Sequence, residues 1–171
     1  MISLIPLAIV GGLLALANPP QIPNPQVPDS IKAPAGEKVV LQVHAVGSQI
    51  YTCQASADQK FSWTLKGPDA QLSDAAGKNI GTHYTGPTWK HMDGSEVVGK
   101  VAGRADSPDA GSIPWLLLTA TSHAGTGILS RVTTIQRINT NGGQPPSGCD
   151  ASHTGAEVKV PYSADYYFYA P

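Results

Sequence analysis

From residue 37 onward the chain alternates apolar and polar positions in short runs rich in β-branched and aromatic side chains, and Gly, Pro, Asp or Asn breaks the runs apart. A period of two puts successive side chains on opposite faces of an extended chain, so the pattern predicts strands. Residues 39–46, 49–54, 60–66, 79–84, 96–101, 115–122, 128–138 and 157–160 read as strands, with 166–169 as a last short one. Breaks at 47–48, 67–69, 76–77, 86–87, 93–94, 125–127 and 141–143 carry the residues that accept positive φ or fix a bend. Sustained helical periodicity is absent, and one short helical turn is expected near 106–110. The expected fold is all-β, an antiparallel β-sandwich or β-barrel of about eight to nine short strands. Residues 139–155, rich in Asn, Gly, Pro and Ser, read as a long loop.

The first residues depart from this pattern. Residues 2–17 form an almost uninterrupted apolar run, short for a bilayer span, that ends in the small-x-small pattern Ala15-Leu16-Ala17. This predicts a signal peptide over 1–17 and a secreted or periplasmic protein, although no charged side chain precedes the run. Residues 18–36 hold Pro19, Pro20, Pro23, Pro25, Pro28 and Pro34. Proline fixes φ and removes donors, so a Pro-rich leader lying outside the main sheets is expected there. Residues 37–171 suit a single all-β domain with one core.

Charge narrows the partners. The formal net charge is −1, and the cations are scattered from Lys32 to Lys159 without a cluster. Nucleic acid needs grouped cations to neutralise phosphates, and a polybasic membrane contact needs the same, so neither partner is expected. Two cysteines, Cys53 and Cys149, most simply pair in an oxidising compartment. Closing so long a loop removes denatured-state entropy worth about 4 to 5 kcal/mol on a chain-entropy account. No Cys-x-x-Cys spacing points to metal or redox chemistry instead.

Proton-active and aromatic side chains concentrate at residues 81–94, GTHYTGPTWKHMDG. Read as a hairpin, this stretch admits two registers. An odd loop centred on Pro87 sets His83 opposite His91, whereas a two-residue Gly86-Pro87 loop sets Tyr84 opposite Trp89. The first register favours a metal reading with Asp93 as a further ligand. The second favours a carbohydrate stacking on aromatic faces. The candidate ligand-binding residues are therefore His83, Tyr84, Trp89, His91 and Asp93, while Trp63 and Trp115, inside strand patterns, are expected in the core. No nucleophile elbow, dinucleotide fingerprint or phosphate loop is present, and no cofactor is called for.

The series GSQIYTCQ at 47–54, FSWTLKGPDAQL at 61–72, GTHYTGPTWKHMDGSEVVGKV at 81–101 and the ending PYSADYYFYAP resemble the secreted family called domain of unknown function 3455. The resemblance implies an exported protein without an established activity and supplies no functional residues to transfer. The expectation is a noncatalytic binding or structural module of the cell exterior, with a carbohydrate or another cell-surface ligand as its partner. The alternative is an extracytoplasmic hydrolase or metal-dependent enzyme using His83, His91 and Asp93.

Overall fold

Eight antiparallel strands, each hydrogen-bonded to the next in chain order, close into one barrel in a computed structural model that describes residues 21–171. They are β1 (Lys38–Ala55), β2 (Phe61–Ser73), β3 (Asn79–Tyr84), β4 (Thr88–His91), β5 (Glu96–Ala105), β6 (Trp115–Ala124), β7 (Thr134–Gly142) and β8 (Glu157–Ala170). Pairing of β8 with β1 from Lys38 to Thr52 closes the ring. The barrel, not the sandwich, is the form taken, and it leaves no free sheet edge. The expected signal peptide over 1–17 lies outside the described residues.

Three strands run on through breaks that the sequence predicts. The expected break at 47–48 lies inside β1, because Gly47 serves a close approach and not a turn. A Cβ there would collide with the Asp69 carbonyl and with Ala70 on β2. The expected turn at 67–69 is a β-bulge within β2: Ile50 pairs with Gly67 while Tyr51 pairs with Leu65, leaving Lys66 as the extra residue. Likewise 157–160 and 166–169 are parts of one strand, β8. No helical turn forms at 106–110, where the Asp109 carboxylate instead accepts from the Gly111 amide and the Ser112 hydroxyl. Short 3-10 turns occur at Asp29–Ile31 and Ala151–His153.

Alternation fills the barrel from within. Val43, Ala45, Leu72, Ile80, Val97, Leu118, Ile135, Ala164 and Phe168 form the core cluster, and fully burying one such aliphatic or aromatic side chain contributes roughly 1.5–3 kcal/mol. The stretch 128–133, expected to begin β7, folds instead over one end of the barrel and buries Leu129 and Val132 there. On the outer wall the leader packs against β5 to β8. Ile31 is fully buried, its carbonyl accepts from Gln136 Nε2 at 2.6 Å, and Ser30 Oγ donates to the Arg104 carbonyl. Beneath this wrap Tyr169 is buried on the outer face, its hydroxyl donating to Gln136 Oε1.

The disulfide joins Cys53 to Cys149 with a Cα–Cα distance of 5.4 Å, inside the usual range. It ties the end of β1 to the loop after β7. Trp63 Nε1 donates to the Ser147 carbonyl beside it, and the ring is only half-buried. Trp115 is also half-buried, so the fully buried indole of the core is Trp89. The expectation that Trp63 and Trp115 lie in the core is thus not met. Trp63 and Trp115 fall where β2 and β6 flank connecting loops, and Trp89 falls on the inward side of the shortest strand.

Candidate functional site

The β3–β4 hairpin takes neither of the two expected registers. Its loop is Thr85-Gly86-Pro87, centred on Gly86, so His83 pairs with Trp89, Tyr84 with Thr88 and Gly81 with His91. A shift of one residue moves every partner, and here it sets an imidazole against an indole. The His83 and Trp89 rings stack with centroids 4.3 Å apart and planes 8° from parallel. Tyr166 meets both edge-on, at 5.1 and 5.4 Å, and Phe168 meets Trp89 edge-on at 5.9 Å. Gly99 on β5 makes room for the indole, since a Cβ there would press on Trp89 and Leu118 at 3.1 to 3.4 Å.

This aromatic group lies at the inner end of a cavity of about 390 Å³. The cavity opens beside the β3–β4 turn, at the end of the barrel opposite the 125–133 cover, because β4 is antiparallel to β3 and carries its other turn to the covered end. Gln49, Leu116, Leu118 and Tyr166 also line the wall, and Leu65, Lys66 and Val101 form the rim. Leu65 and Val101 are each about half exposed, at 52% and 47%. The one cation beyond the rim is Arg137, on β7. Its Nε and Nη2 both donate to the Pro114 carbonyl, at 3.2 and 2.8 Å. Trp89 Nε1 and Gln49 Nε2 are buried in the same wall and have no hydrogen-bond partner among the described residues.

His83 is held neutral. Burial is the main cause that pushes its pKa down to about 3, the bond to the Thr88 carbonyl opposes this, and the nearby Arg137 charge adds to it. A carbonyl only accepts, so Nδ1 carries the proton donated to Thr88 at 2.8 Å, and Nε2 keeps its lone pair. An unfolded imidazole takes up a proton near 6.5. Between the two values the unfolded chain binds more protons, so His83 lowers stability progressively as pH falls from about 6.5 toward 3. His83→Gln is expected to flatten that part of the dependence, read as urea midpoints across the acid range. An unchanged slope would contradict the buried neutral ring.

Residues 34–170 match the family described as "Protein of unknown function (DUF3455)". The chain belongs to that family. No curated protein and no solved structure matches it.

Within this DUF3455 barrel the five sequence candidates separate into three places. His83 and Trp89 line the cavity. Tyr84, the neighbour of His83 in sequence, faces the other side of the sheet, where its hydroxyl donates to Glu96. Trp89 and Tyr84 therefore offer no shared exposed platform to a sugar. His91 and Asp93 sit at the covered end, Nδ1 and Oδ2 being 3.1 Å apart. There the Asp93 carboxylate accepts from the Ser95 amide and hydroxyl and from the Ile128 amide, while Ser95 Oγ accepts from the Leu129 amide. Partial burial raises the Asp93 pKa, but these bonds and that from His91 outweigh it and hold the carboxyl far below the usual carboxylate range. This network fastens the covering loop to the β4–β5 turn.

His83 lines the cavity, whereas His91 and Asp93 pair with each other and Asp93 bonds the covering loop, so the three do not form one cluster. Among the described residues no group of three or more His, Cys, Asp or Glu side chains that could hold a metal ion occurs. Asp150, Ser152 and His153 do gather, yet the Ser152 hydroxyl and the Asp150 carboxylate both bond the same His153 nitrogen, at 3.1 and 2.8 Å. That leaves no relay from acid through base to nucleophile. They cap the 3-10 turn instead. Gln49 and Arg137 were missed as site residues from sequence, since they lie on different strands and no spacing links them.

Proposed function

We propose that this protein is an exported, noncatalytic binding module that holds a small, largely apolar molecule in the open end of its barrel. The carrying observation is the cavity itself: about 390 Å³ in volume, walled by Trp89, Leu116, Leu118 and Tyr166 and rimmed by exposed Leu65 and Val101. Sites for small ligands are mostly apolar concavities of roughly 300–1,000 Å³ with a few polar groups, and eight-stranded barrels have room for one such ligand. The disulfide supports an oxidising, extracytoplasmic location, in keeping with the apolar run at residues 2–17. No helix among the described residues is long and apolar enough to cross a membrane.

The neutral dye N-phenyl-1-naphthylamine is expected to brighten on entering the cavity. Val101→Trp, which adds bulk at a half-exposed rim position, is expected to abolish that signal while leaving the melting temperature near that of the parent protein. No binding by the parent chain, or full binding by a folded Val101→Trp variant, would overturn the proposal.

A further inference from the structure

We infer that the molecule this cavity accepts is an apolar carboxylate whose head group is held by Arg137; the inference rests on the binding role proposed above and specifies its ligand class. The first support is charge. The cavity lining contains Arg137 and Lys66 but no Asp or Glu. Lys66 is already paired with Glu157 on β8. Arg137 has no carboxylate partner among the described residues, although eight acid–base pairs occur elsewhere among them.

Its remaining valences point the same way. A guanidinium has five N–H donors; Nε–H with one N–H of Nη2 suffices for the Pro114 carbonyl and one more serves the Tyr166 hydroxyl, so part of the planar fork stays unclaimed. An inward-facing cation without a counter-ion is costly to keep, and a carboxylate brought by a ligand is the partner whose geometry fits that fork best.

The second support is independent of charge. Two buried groups of the wall lack partners, Trp89 Nε1, which only donates, and the Gln49 carboxamide nitrogen. Trp89 is 1% exposed and Gln49 2%. Leaving such donors unpaired is unfavourable, and a ligand oxygen would remove that cost. Neutral His83 adds no competing positive charge, so the cationic end of the wall is Arg137. Leu116, Leu118 and Val101 supply the apolar remainder that an alkyl or aryl body covers.

Competition against the bound neutral dye tests this with octanoate and octanol, which share an alkyl chain and differ in the head group. Octanoate is expected to displace the dye roughly 10- to 100-fold more effectively than octanol, the ratio that matches one hydrogen bond to a charged group. Arg137→Gln, which keeps donors for Pro114, is expected to erase the preference, and Arg137→Lys to retain much of it. Lys66→Gln is expected to change it little. Equal displacement by the two molecules, or a preference that survives Arg137→Gln or vanishes with Lys66→Gln, overturns the inference and leaves the cavity as a neutral apolar site. If neither the dye nor either competitor binds, the proposed binding role falls and this inference with it. Should Arg137→Gln fail to fold, loss of preference with rising ionic strength in the parent chain is the substitute reading, and a salt-independent preference counts against Arg137.

Discussion

Trp89→Ala is expected to lower folding stability by about 3 to 5 kcal/mol, the cost of emptying a large core site. The indole is 1% exposed, stacks on His83 and takes the edges of Tyr166 and Phe168. Its strand is the shortest of the eight and pairs with β5 at only three positions, so little else can collapse into the space. Because Nε1 has no hydrogen bond, the loss is one of packing and apolar contact and not of a polar network. Trp89→Phe keeps an aromatic face against His83 and is expected to cost less. Urea denaturation of both variants checks the order. A loss below about 1 kcal/mol for the alanine variant would contradict the packing account, since ordinary surface substitutions stay near half that.

Removing the disulfide is the other large effect. Cys53→Ser with Cys149→Ser is expected to cost about 4 to 5 kcal/mol, because the bond closes a sequence separation of 96 residues and so restricts the unfolded chain strongly. Native contacts hold the same loop only lightly. Tyr51 donates to the Gly143 carbonyl, Trp63 to the Ser147 carbonyl, and the Cys53 backbone exchanges bonds with Ala156 and Gly155. The covered end of the barrel, fastened by Asp93 and Ser95, lies far from this staple and is expected to keep its structure longer as denaturant rises. Equilibrium unfolding with and without reductant measures the difference, and thiol titration of the oxidised, denatured protein is expected to find no free cysteine. Equal midpoints with and without reductant would remove the entropic argument.

How much of this was legible beforehand depended on the range of the interaction involved. The strand at 79–84 was read to the residue, because alternation and its flanking turns are local. Gly47 and Gly67 look like turn residues in sequence, yet β1 and β2 run through 47–48 and 67–69. Their reason is a neighbouring strand that approaches too closely for a side chain, or a bulge that depends on partner register. The candidate site was half legible. His83 and Trp89 stand out by their chemistry, but their pairing needs a loop centred on Gly86, which neither expected register has. Arg137 and Gln49 carry no local signal.

The sequence by itself determined an all-β chain, the single Cys53–Cys149 cross-link and the concentration of imidazole and indole at 81–94, since alternation, cysteine count and composition act over a few residues or in only one combination. Only the tertiary structure decided that the sheet closes on itself, that His83 and Trp89 turn into a cavity while Tyr84 turns away, and that His91 and Asp93 fasten the opposite end. Closure and register are set by pairings between residues as far apart as Lys38 and Ala170. A one-residue choice in the hairpin then inverts the face of every side chain that follows it.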